Sequence, residues 1–75
     1  MKDSPVNALL KELIHFDKTS ATSVYIQISQ QIINAVQRRY LKEGTALPGT
    51  RIFSQLLNIH RNTAVAVYDE LASQG

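Results

Sequence analysis

Thr50-Arg51-Ile52-Phe53-Ser54-Gln55-Leu56-Leu57-Asn58-Ile59-His60-Arg61-Asn62-Thr63-Ala64-Val65-Ala66-Val67 is the stretch whose reading decides the fold. Phe53, Leu57, Ile59, Ala64 and Val67 fall where two short helices joined by a tight turn would face one another. The point of closest passage needs a small side chain, and Ser54 stands there. The turn needs a residue that tolerates positive φ, a role in which asparagine is the commonest substitute for glycine, and Asn58 supplies it. Together these features predict a first helix over about 51–57 and a second over about 61–73, packed as a helix-turn-helix.

Immediately upstream, Leu47-Pro48-Gly49-Thr50 marks a turn, and the Thr50 hydroxyl is expected to cap the first of these helices. Before it, Lys42-Glu43-Gly44 is expected to end a longer helix, with glycine suited to the left-handed geometry past a helix end. That helix carries Tyr25, Ile28, Ile32, Ala35, Val36 and Tyr40 as one apolar stripe. Gln27, Gln30, Gln31, Asn34, Gln37 and Arg38 occupy its other face. The polar stretch 17–23, rich in Ser and Thr, reads as a linker that also supplies the cap for this helix. Farther out, Ser4-Pro5 has the form of an N-cap followed by proline at the first helical position. Val6, Leu9, Leu10, Leu13 and Ile14 then recur at helical spacing, giving an amphipathic helix over about 5–15. Lys2 and Lys11 are too few for a membrane-surface helix, so a role in covering the domain or in dimer contacts is expected.

The expected class is all-α: a three-helix helix-turn-helix core with an extra N-terminal helix. The expected division is 1–23 for the N-terminal helix and linker and 24–75 for the core. Seventy-five residues without cysteine must rest on packed apolar faces alone, since neither disulfides nor thiolate metal sites are open to them. The apolar runs are far shorter than a membrane span and the N-terminus lacks the apolar stretch of a signal peptide, which makes the cytoplasm the expected location, with no membrane partner.

A net charge of +2 does not itself point to a nucleic acid, but its distribution does. Residues 1–37 balance Lys2, Lys11 and Lys18 against Asp3, Glu12 and Asp17, whereas Arg38, Arg39, Lys42, Arg51 and Arg61 follow, and no acidic residue lies between Gly44 and Tyr68. A phosphate backbone can approach that stretch without meeting like charge. His60, Arg61, Asn62 and Thr63 cluster at the start of the second helix, the end that enters the major groove and carries the positive pole of the helix dipole. Arginine pairs with guanine or grips phosphate, asparagine pairs with adenine or reaches phosphate, and threonine donates to phosphate or touches a thymine methyl. Plainer roles compete with these: Arg61 as a solvated helix-start residue, His60 as a weak cap, Thr63 in satisfying its helix terminus, Arg51 in an ion pair with Asp69 or Glu70.

Leu47-Pro48-Gly49-Thr50-Arg51, Leu57-Asn58-Ile59-His60-Arg61-Asn62-Thr63, Tyr68-Asp69-Glu70-Leu71 and Gly75, with Val24-Tyr25-Ile26-Gln27-Ile28 before them, resemble the N-terminal winged helix-turn-helix of GntR-family regulators over about residues 24–75. Leu-Pro-Gly-Thr-Arg, His-Arg-Asn-Thr and Tyr68 look most like the MocR branch, whose members join this domain to an aminotransferase-like domain that binds pyridoxal phosphate. The resemblance implies a sequence-specific transcription regulator, with double-stranded DNA as partner, Arg51 contacting the DNA backbone or groove and Arg61, Asn62 and Thr63 facing the operator; Thr50 and His60, beside them in sequence, complete the expected DNA-facing set. It also implies a β-hairpin wing after Gly75. The chain is therefore expected to be a fragment, with the residues a wing would cover left exposed and self-association through that face. His60 stands where many members carry serine or threonine. Val65 stands where some branches carry a DNA-contacting arginine, a contact that does not transfer.

Binding as a homodimer to a two-fold site is expected, because one short recognition helix contacts too few bases for specificity. An enzyme is not expected: His15 and His60 lie on separate elements, with no carboxylate and nucleophile grouped around either. None of the four lysines sits in a Schiff-base context, so pyridoxal phosphate would belong to a domain beyond this chain. The competing expectation is a helical interaction or dimerisation module on the same framework.

Overall fold

Asn58 adopts φ 56° and ψ 49°, the left-handed conformation that the turn demands. Its N–H donates to the Gln55 carbonyl (3.3 Å) and the Ile59 N–H to the Ser54 carbonyl (2.9 Å). This crossed pair closes the last turn of one helix and throws the chain into the next. In the computed structural model, which describes residues 5–41 and 46–74, four helices follow in order: α1 Pro5–Leu13, α2 Val24–Gln37, α3 Thr50–Leu57 and α4 Arg61–Gln74. No strand occurs among the described residues. The expected roles of Ser4, of Lys42-Glu43-Gly44 and of Gly75 lie outside the described residues.

α4 packs against both α2 and α3, and α1 lies on α3. The shared core contains Leu10, Ile14, Ile28, Ile32, Ala35, Leu41, Phe53, Leu57, Ala64 and Val67. Ser54, buried at the expected close passage, returns its hydroxyl to the Arg51 carbonyl (2.8 Å), so the small polar side chain enters the core already satisfied. Buried Ser29 does the same toward Tyr25 (2.8 Å) and Ile26 (3.2 Å).

α2 ends at Gln37, earlier than the Lys42-Glu43-Gly44 stop expected from sequence. Arg39 takes φ 66°, its N–H donates to the Val36 carbonyl (3.1 Å), and the Tyr40 N–H donates to the Ala35 carbonyl (2.8 Å). The same Schellman closure thus ends α2 and α3, on arginine in one and asparagine in the other. Reversal at Arg39 breaks the helical register, so Leu41 enters the core and Tyr40, placed by periodicity in the apolar stripe, is 60% exposed.

Two expected hydroxyl caps are not formed. Gly49, not Thr50, is the N-cap of α3, leaving Thr50 as its first helical residue, and Ser23 precedes α2 without a side-chain cap bond. α1 stops at Leu13, short of the expected 15, because His15 is held elsewhere. Its N–H donates to Gln31 Oε1 (2.8 Å) and its carbonyl accepts from Gln31 Nε2. One turn earlier on α2, Gln27 treats Asp17 alike: Oε1 accepts the Asp17 N–H (2.9 Å), and Nε2 donates to the carbonyls of Asp17 (2.9 Å) and Thr22 (2.7 Å). Two glutamines at i and i+4 therefore bond alternate residues of an extended segment. They are not the solvated face that the sequence pattern indicated.

Candidate nucleic-acid interface

The start of α4 is organised by His60. The N–H groups of Thr63 (3.0 Å) and Ala64 (3.2 Å) donate to its carbonyl, and the Asn62 N–H donates to its ring Nδ1 (3.1 Å). An imidazole accepts at Nδ1 only when neutral, with its proton on Nε2, so it acts here as the cap that a hydroxyl or carboxamide more often supplies. Arg61 and Asn62 are exposed beside it, and Thr63 is half-buried. No acidic residue lies in the first turn of α3 or of α4. Both helix starts therefore keep the positive end of their dipoles uncompensated by the chain itself.

Arg51 is exposed in the first turn of α3, with Thr50 half-buried before it. Among the described residues it forms no ion pair with Asp69 or Glu70. The Glu70 carboxylate instead accepts from Gln74 on its own helix (3.1 Å). What fixes the α3 start relative to α4 is Tyr68, whose hydroxyl donates to the Pro48 carbonyl while its ring meets Phe53 at 5.0 Å between centroids and 51° between planes. Burial raises the Tyr68 phenol to about 12, so it remains a donor throughout the neutral range. In the sequence Tyr68 is only a point of resemblance. A half-buried aromatic with a polar tip, twenty residues from a turn proline, carries no local pattern that reveals the bond.

Six residues were expected to face a nucleic acid. Arg51, His60, Arg61 and Asn62 are exposed at the two helix starts, while Thr50 and Thr63 are partly covered. Among the described residues no group of three or more His, Cys, Asp or Glu side chains is placed to hold a metal. The described lysines, Lys11 and Lys18, are both exposed on the surface.

Fold and site define a helix-turn-helix domain. The chain is 39% identical over 54 residues to the HTH-type pyridoxine biosynthesis transcriptional regulator PdxR of Corynebacterium glutamicum, a match covering 72% of the chain and 12% of that protein. Over 63 residues, 84% of the chain, it is 27% identical to the probable rhizopine catabolism regulatory protein MocR of Rhizobium meliloti (13% of that protein) and 32% identical to the HTH-type transcriptional repressor YtrA of Bacillus subtilis (48% of that protein). The homologues are GntR-family helix-turn-helix regulators, the MocR branch included. The chain spans less than half the length of each of these three relatives. No family model matches the chain, and no solved structure does.

Proposed function

We propose that the chain is the DNA-binding part of a transcription regulator, with α4 in the major groove and Thr50, Arg51, His60, Arg61, Asn62 and Thr63 forming the contact surface. The observation that carries this reading is the pairing of two acid-free helix starts, one bearing exposed Arg51 and the other exposed Arg61 and Asn62. Arg51 grips phosphate, while Arg61 and Asn62 reach base edges or phosphate from the first turn of α4. The unit works as a homodimer on a two-fold operator, since a single helix of this length reads too few bases. Footprints confined to one unrepeated half-site would contradict the dimer. Any response to pyridoxal phosphate is assigned to residues outside this chain.

Gly49 offers a test that separates charge from folding. It caps α3 with φ −63°, and a Cβ placed there meets nothing within 4 Å. Asparagine and aspartate are equally good caps, each better than glycine by a few tenths of a kcal/mol. Gly49→Asn and Gly49→Asp should therefore both keep or slightly raise the melting temperature. Gly49→Asn should bind duplex DNA like the wild type, and Gly49→Asp several-fold more weakly, because it adds an anion beside Arg51. Equal affinities for the two would count against a phosphate-facing α3 start.

A further inference from the structure

We propose that Val65 is a base-reading residue whose isopropyl group packs against the C5-methyl of a thymine. This rests on the DNA-binding reading above and extends it to specificity.

The exposed residues of α4 are Arg61, Asn62, Val65, Asp69, Ala72, Ser73 and Gln74; Arg61 and Asn62 begin one ridge, which Val65 and Asp69 continue at spacings of three and four. Ala64 and Val67 point the other way and are fully buried. Val65 is 42% exposed and lies outside the core and the apolar residues packed against it. Its branched Cβ lowers helix propensity relative to alanine or a straight-chain polar residue, so helix formation does not favour valine at this position. A lone exposed aliphatic side chain is ordinary on a protein surface. Here it stands on the ridge that begins with Arg61 and Asn62, one helical turn and about 6 Å farther along, a distance of roughly two base steps.

The ridge also sets a limit. Asp69 comes one turn later, and its carboxylate repels phosphate, so the part of the ridge compatible with close approach runs from Arg61 to Val65. Within it, Val65 has neither donor nor acceptor. Guanine, adenine and cytosine present polar groups and no methyl in the major groove, and valine against them would remove water without replacing its hydrogen bonds. The thymine methyl is the apolar feature on those edges, so Val65 favours thymine at its position and disfavours the other bases.

The test uses a duplex that the wild-type chain selects from a randomised library, remade with each thymine in turn replaced by deoxyuridine, which lacks only the methyl. Wild type, Val65→Ala and Arg61→Ala are titrated against the series. Alanine favours the helix, and circular dichroism verifies that each variant is folded. One deoxyuridine position should weaken wild-type binding about four-fold, the effect of one buried methyl-sized group, and leave Val65→Ala binding unchanged. Arg61→Ala should keep that deoxyuridine penalty while binding every duplex more weakly. A series without effect at any position, or with equal effect on wild type and Val65→Ala, overturns the assignment of Val65 while leaving DNA binding intact. A wild-type chain that selects and binds no duplex overturns both.

Discussion

Arg39 and Asn58 occupy the same backbone state at the ends of successive helices, but they do not bear it equally. An L-residue in the left-handed region is disfavoured by about 1–2 kcal/mol, asparagine less than most, and among the described residues Arg39 has no side-chain bond to offset that cost. Arg39→Gly should therefore raise unfolding stability by roughly 1 kcal/mol, read as a higher urea midpoint at unchanged slope. A lower midpoint would mean that the arginine side chain makes up for its backbone. Tyr68 is the other residue whose effect is local and measurable. Its phenol is raised by burial to about 12, against an ordinary 10. A proton held more tightly in the folded state contributes stability that is fully present below pH 10 and is lost as pH rises through 12. Tyr68→Phe should remove the tyrosinate absorbance that develops near pH 12, flatten the fall in stability between pH 10 and 12, and lower stability at neutral pH by about 1 kcal/mol for the lost bond to Pro48. An unchanged titration curve would show that the phenol is not buried as described.

At the scale of elements, legibility followed from whether the deciding contacts are local. The α3-turn-α4 unit could be read because its demands fall within a short stretch: Ser54 at the crossing, Asn58 in the turn, and Phe53, Leu57, Ala64 and Val67 between the helices. The grouping of Arg51, His60, Arg61 and Asn62 at two helix starts was legible for the same reason, since a helix start and the residues on it are adjacent in sequence. The end of α2 was not, because a glycine signal at Gly44 outranked an arginine that no propensity places at positive φ. The work of Gln27 and Gln31 was also hidden. Glutamines opposite an apolar stripe have the pattern of a solvated face, and only the fold brings His15 and Asp17 under them. This pairing attaches the segment after α1 to α2 and helps keep Leu10 and Ile14 in the core. Gln31→Ala should speed hydrogen exchange at the His15 amide and through α1 while leaving α3 and α4 protected. Uniform acceleration across all four helices would instead indicate one cooperative unit with no separable latch.

For the whole molecule, the arrangement measures 34 × 28 × 19 Å, and none of its described helices is long and apolar enough to cross a membrane. Its small core leaves little stability in reserve, so the apolar contribution of α1 matters to a domain whose proposed recognition surface lies on α3 and α4. Charge is divided in the same way: the first half is balanced, and the stretch that forms the candidate interface has no acid before Asp69. The measurement that tests the central claim most directly is a fluorescence-anisotropy titration of duplex DNA at two salt concentrations. It compares the wild-type chain with the Arg51→Ala, Arg61→Ala double variant, verified as folded. The account predicts wild-type binding that weakens steeply with salt, with affinity largely lost in the variant and the salt slope reduced by about two for the two phosphate-reaching cations removed. Binding that is insensitive to salt and unaffected by the two substitutions would contradict it and identify the chain as a protein-interaction module.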